Sequence, residues 1–214
     1  MVEKDKAKAL KVLAKLEKGY PGVKKFALDY HNPLELLVST ILSAQCTDAR
    51  VNIVTKDLFK KYKTAEDYAK ADLATFQKEI HSTGFYKNKA KNITNAAKIL
   101  VKDFGGKVPD EMEDLLRLPG VARKTANIVL LGGFGKVEGI AVDTHVYRLS
   151  HRLGFSSQRN PNKVEKDLMG LFPRSKWGRI NYLLISHGRA VCKARKPLCG
   201  QCTLNKLCPS AFKA

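Results

Sequence analysis

The sequence predicts an all-α fold. Apolar residues recur at helical spacing in nearly every segment, no stretch joins strand-like alternation to a hairpin turn, and Gly, Pro, Asn and Asp stand where helices should begin or stop. Leu10, Leu13 and Leu16 line one face of a Lys-rich opening helix that ends at Gly19-Tyr20-Pro21-Gly22. Asn32 caps and Pro33 opens a second helix, Leu34 to Leu42, apolar almost all round and therefore central. Val51, Val54, Leu58, Phe59 and Tyr62 make the next stripe, and Asp72 caps a helix carrying Leu73, Phe76 and Ile80. Ala90, Ile93, Ala97, Leu100 and Phe104 share one face of a long helix that Gly105-Gly106 ends. A short helix from Met112 to Arg117, a tight Leu118-Pro119-Gly120 turn and a helix from about Val121 to Leu131 follow. Helices carrying Val146 to Leu153, Val164 to Phe172 and Trp177 to Val191 complete the chain.

A length of 214 residues allows one large domain or two lobes, with a core that needs no staples. Apolar runs such as Ile128 to Leu131 are far too short to span a bilayer, which excludes a transmembrane protein. The start, Met1-Val2-Glu3-Lys4-Asp5-Lys6, mixes charges without an apolar stretch, so an intracellular protein is expected. Against 39 Lys and Arg stand 20 Asp and Glu, a net charge of +19 whose self-repulsion calls for a polyanion partner. Nucleic acid leads that class.

Candidate chemistry falls at three places. The turn at Pro119-Gly120 puts a helix N-terminus, with its unpaired amides and partial positive charge, beside Arg123 and Lys124, where a phosphate fits; an ordinary helix corner is the alternative. Lys124 is then either a phosphate contact or, turned inward, an amine near a sugar. A lysine attacks carbon only when neutral, and the surrounding basic residues, Arg123 first, push it that way. Asp143, in Ala141-Val142-Asp143-Thr144-His145, is either the carboxylate that serves that amine or the N-cap of the next helix, and the two roles are compatible. Finally, Cys192-x6-Cys199-x2-Cys202-x5-Cys208 offers four thiolates in one loop, enough for a cubane cluster or a zinc ion, although zinc usually takes two short Cys pairs and only one is present. Cys46, alone upstream, reads as a buried thiol.

The segment Met112–Leu130 resembles the helix-hairpin-helix DNA-binding motif, whose turn usually reads apolar-Pro-Gly-apolar-Gly. Here Ala122 replaces the second glycine and should be less free to adopt a positive φ. With Lys124, Asp143 and the cysteine spacing, the chain from about residue 30 to 208 resembles the endonuclease III family of base-excision repair DNA glycosylases with lyase activity. The resemblance implies two helical lobes with the DNA groove between them. Residues 26–137 would form a six-helix domain with the hairpin at about 112–131, and 1–25 plus 138–214 an iron–sulfur domain. It further implies Lys124 as nucleophile, Asp143 as its partner, and a structural [4Fe-4S] cluster on Cys192, Cys199, Cys202 and Cys208.

The DNA contacts implied are Gln45, inserted where the flipped nucleotide has left, and Phe85, which stands where family members often carry an aliphatic residue and could stack between bases, with Asp48 at the flipped base or capping its helix; the alternatives on local sequence are Phe85 as a core residue and Gln45 as a helix cap. Gly120, Ala122 and Arg123 would meet the backbone at the hairpin, and Lys193, Arg195 and Lys196 would project from the cysteine loop. His145 is expected to pack behind the site. The implied activity is removal of oxidised or ring-saturated pyrimidines such as thymine glycol from damaged double-stranded DNA, followed by β-elimination, by a monomer in the cytoplasm and nucleoid of a prokaryote. An adenine mismatch glycosylase is the nearest rival, but those enzymes lack lysine at the position of Lys124. A non-catalytic helix-hairpin-helix DNA binder would leave the pairing of Lys124 with Asp143 unexplained.

Overall fold

The computed structural model describes residues 2–23 and 27–213, with side chains from Asp5 onward. Among these residues there are eleven α-helices and no strand, so the all-α expectation holds. In order they are α1 (Val2–Gly19), α2 (Pro33–Leu42), α3 (Asp48–Lys61), α4 (Ala65–Ala69), α5 (Leu73–Glu79), α6 (Tyr86–Phe104), α7 (Met112–Leu116), α8 (Arg123–Phe134), α9 (Thr144–Arg152), α10 (Pro161–Leu171) and α11 (Trp177–Ala190). The chain divides into two compact units, Phe26–Glu138 and Met1–Lys25 with Gly139–Ala214. Residues 24–26, where the first domain boundary was expected, lie outside the described ones.

The unit Phe26–Glu138 is built around α2. Asn32 accepts from the Glu35 amide at 2.9 Å, Pro33 needs no partner at the first turn, and Leu36, Leu37, Val38, Ile41 and Leu42 are all buried. Helices α3, α6 and α8 pack on it. Each fully buried leucine of this kind stabilises the unit by roughly 1.5–3 kcal/mol relative to exposure. A seventh helix that the apolar pattern does not disclose, α4, is held by a capping box in which Thr64 and Asp67 satisfy each other's amides. Its Tyr68 stacks on Tyr62 at 5.0 Å, and Phe76 of α5 meets both rings edge-on. Asp72 caps α5 as expected, but Leu73 is exposed, because one turn from the cap only Phe76 reaches the core. Gly105 ends α6 in the left-handed conformation that a side chain would resist.

The other unit has its own core, made by Leu16, Ile140, Val146, Leu149, Leu168, Ile180, Leu183 and Leu184. Helix α1 joins it through Ala9, Val12, Leu13 and Leu16, while Leu10 is 48% exposed. The buried stripe thus lies one position round from the one read from leucines alone. Among the described residues no helix is long and apolar enough to cross a membrane.

Candidate functional site

The hairpin begins where α7 ends. Arg117 is clamped to Asp103 at 2.7 Å and Asp114 at 3.1 Å, with its guanidinium over the Phe104 ring, which fixes α7 against the end of α6. Across the motif, Lys136 closes on Asp110 at 2.8 Å and Glu111 at 2.6 Å, tying the end of α8 to the start of α7. Gly120 takes φ +81°, and a Cβ there would stand 3.0 Å from the Cβ of Asn92, so two independent constraints demand glycine. Ala122, expected to be less free to adopt a positive φ, is not asked for one. It is the N-cap of α8 with φ −93° and ψ 170°, ordinary extended backbone, and the turn asks for no positive φ at that position.

Arg123 and Lys124 are the first two residues of α8 and both are half-buried, beside the wholly buried Thr125, Ala126 and Asn127. Lys124 therefore sits in the turn whose amides lack helical partners, flanked by a second cation. Asp143 stands in the other unit. Buried Ile140, Ala141 and Val142 lead into it, Asn181 pins Ala141 O, and Asp143 Oδ1 caps α9 by accepting from the Val146 amide at 2.7 Å. The cap engages one of its two carboxylate oxygens. His145, half-buried, lies against Gly188 of α11, with its Nδ1 3.2 Å from the Arg148 guanidinium.

The loops after α2 and before α6 carry a shared peculiarity. Gln45 has φ +53° and Phe85 φ +48°, a left-handed conformation that costs a residue with a side chain roughly 1–3 kcal/mol and concentrates at working sites. Phe85 is 62% exposed, which removes the core role it had as an alternative. Gln45 is exposed and caps nothing, since Thr47 is the N-cap of α3 and accepts from Arg50 at 3.3 Å. Asp48 is the first residue of α3 and half-buried, and is not its cap. Cys46 is half-buried, not buried. Between the two loops lies a residue the sequence does not single out: Lys89, 4% exposed, donates to Leu42 O at 2.7 Å and to Thr83 O at 2.8 Å.

The four cysteines line one cavity with Leu149, Leu153, His187 and Leu204. Burial pushes the Cys202 and Cys208 thiols up, and the other cysteines push the same way, so this thiolate set asks for a strongly cationic centre. Among the described residues no group of three His, Cys, Asp or Glu forms a site for a single metal ion, and four thiolates around one cavity are the donor set that an iron–sulfur cluster takes. Arg152 organises the loop: it reaches Cys192 Sγ at 3.4 Å, Lys193 O at 2.7 Å and Ala194 O at 3.0 Å, while its own carbonyl accepts from Cys208 Sγ. His187, whose burial lowers its pKa to about 4, places Nε2 3.4 Å from Cys202 Sγ and Nδ1 3.0 Å from the Tyr20 hydroxyl. Lys193, Arg195 and Lys196 are exposed on this loop. Neither Arg152 nor His187 was marked by the sequence, although His187 lies on the helix that ends two residues before Cys192.

The chain matches the family described as HhH-GPD superfamily base excision DNA repair protein over residues 38–174, from α2 through the hairpin and Asp143, and the iron–sulfur binding domain of endonuclease III over residues 192–208. It is thus a helix-hairpin-helix protein of base excision repair. Endonuclease III of Synechocystis sp. is 54% identical over 96% of this chain and 94% of its own. Two solved structures, a non-covalent endonuclease III–DNA complex and a trapped endonuclease III–DNA covalent intermediate, each share 43% identity, cover 96% of both chains and superpose with a TM-score of 0.92. The chain belongs to the endonuclease III family. It is a DNA glycosylase and AP lyase, and its cofactor is a [4Fe-4S] cluster.

Proposed function

We propose that Lys124 is the nucleophile and that the substrate is duplex DNA carrying an oxidised or ring-saturated pyrimidine, thymine glycol among them. The Nζ of Lys124, neutral at the moment of attack, forms a bond to C1′ of the extruded deoxyribose as the C1′–N bond to the base breaks; the electron pair of that bond leaves with the base, which takes a proton from water. Asp143, through the carboxylate oxygen not engaged in the cap, takes up the amine's proton and balances positive charge on the sugar. Asp143 returns that proton to the ring oxygen as the C1′–O bond breaks and the ring opens to an iminium, which acidifies the C2′ proton. Loss of that proton expels the 3′ phosphate, and water then frees the lysine.

Gln45 and Phe85 fill the gap left by the extruded nucleotide, Phe85 by stacking and Gln45 by reading the orphaned base, with Asp48 beside the flipped one. The hairpin at Gly120, Ala122 and Arg123 holds phosphate, and so do Lys193, Arg195 and Lys196. Cys192, Cys199, Cys202 and Cys208 hold the cluster, which supplies a rigid centre that keeps their loop closed. The protein works as a monomer, and its bacterial relatives favour a prokaryotic cytoplasm and nucleoid. The observation that carries this proposal is the covalent endonuclease III–DNA intermediate trapped on so similar a chain, together with a half-buried lysine at the hairpin helix of this one. Borohydride with a panel of lesion duplexes tests it. The wild type should be trapped on thymine glycol and abasic duplexes and Lys124→Gln on neither; trapping that survives the substitution moves the nucleophile elsewhere.

A further inference from the structure

Lys89 is the fourth residue of α6 and almost wholly buried, an expensive place for an amine unless its N–H groups find acceptors. Its acceptors are the carbonyls of Leu42, the last residue of α2, and Thr83, in the short 3-10 turn before α6. Burial lowers its pKa, so the site is maintained against desolvation by those two bonds. The Lys89 backbone amide also donates to Phe85 O at 3.1 Å. Each carbonyl held by the side chain lies just upstream of a left-handed residue: Leu42 three positions before Gln45, Thr83 two before Phe85.

We infer that Lys89 is a positioning residue that locks the Gln45 and Phe85 loops to each other, so that both side chains enter DNA as one preformed wedge when a nucleotide is extruded. The inference rests on the wedge roles proposed above. Its physical content is preorganisation. Two strained loops each sample other backbone states, and a shared buried donor bonded to both makes those states costly together. The phosphate-binding hairpin and the cysteine loop are not held by Lys89, so ground-state DNA affinity should not depend on it.

The test follows nucleotide extrusion by the fluorescence of a base analogue placed beside a thymine glycol, in rapid mixing, with the holoprotein. Gln45→Ala and Phe85→Ala each slow extrusion if the wedge roles are right. Lys89→Met, nearly the same shape but without donors, should slow extrusion and single-turnover base release by roughly tenfold or more, the scale set by small misplacements, with the Kd for undamaged duplex within about twofold. In the Gln45→Ala, Phe85→Ala background, Lys89→Met should add little, because its effect passes through the two side chains already removed. A merely structural lysine would add its full loss there. Lys89→Gln, which keeps donors on a shorter side chain, should show a smaller deficit with the same loss of effect in that background. If extrusion is slowed by the loop variants but not by Lys89→Met, the inference alone fails. If the loop variants extrude normally, the wedge roles fail and the inference with them. If neither Lys89 variant folds, Lys89 is structural and the inference is overturned.

Discussion

Asp143 Oδ1 lies 2.7 Å from the amide of Val146, so the carboxylate assigned to chemistry is also the N-cap of α9. The two duties separate by substitution. Asp143→Asn keeps an oxygen for the cap and should melt close to wild type while base release falls roughly hundredfold, the low end for a general acid–base group. Asp143→Ala should lose the same activity and about 1 kcal/mol of stability besides. Thermal melting beside single-turnover kinetics checks both; an active, merely destabilised Asp143→Asn would leave Asp143 a cap only.

Gly120 and Ala122 are constrained differently. Gly120→Ala forces a Cβ against Asn92 at φ +81° and should cost roughly 1–3 kcal/mol, with weakened binding to any duplex. Ala122→Gly restores the usual hairpin sequence at a position with φ −93°, so it should gain no affinity and lose up to about 1 kcal/mol through added freedom of the unfolded chain. Filter binding and urea unfolding read the two effects. Tighter binding by Ala122→Gly would mean that the turn does need a left-handed residue there.

Purified protein should carry about four iron atoms per chain and no stoichiometric zinc, as a single [4Fe-4S] cluster requires. Cys202→Ser should lose iron, and hydrogen exchange should then accelerate in α9 and α11, where Arg152 and His187 touch the cysteines, while α2 keeps its protection. Iron-free protein with unchanged exchange in α9 would mean the cluster is not structural.

DNA affinity should fall steeply with salt, by a logarithmic slope of roughly 0.9 for each phosphate neutralised. Replacing Lys193, Arg195 and Lys196 together by Gln should make that slope shallower by about one for each phosphate left without its cation, uniformly over sequences. Fluorescence anisotropy across a salt series measures it; an unchanged slope would free those side chains from any phosphate role.

Much of the fold was legible because its signals are local. Asn32, Asp72 and Gly105 mark helix ends in the sequence and do so in the structure. Burial was less legible: Leu10 and Leu73 have the right residue type on the wrong side of their helices, since a stripe of three apolar residues fixes a face only to within about one position. The capping box at Thr64 and Asp67 starts a helix of five residues, too short to show an apolar stripe in the sequence. Of the site, the motif residues could be named, but not what braces them. Lys89, Arg152 and His187 act through carbonyls and sulfurs that only the folded chain brings near, and a lysine in a Lys-rich helix carries no mark of being the buried one.

The compact unit formed by Met1–Lys25 and Gly139–Ala214 draws on both ends of the polypeptide. On the ribosome, α1 emerges before α11, the helix it packs on, and must wait through the making of everything between, on the order of ten seconds or more at the usual pace of translation. The unit Phe26–Glu138 waits less, since its partners lie on one continuous stretch of chain and α8, which packs on α2, is made well before α11. The lysine of the hairpin can thus reach its folded surroundings before the last cysteine has been made.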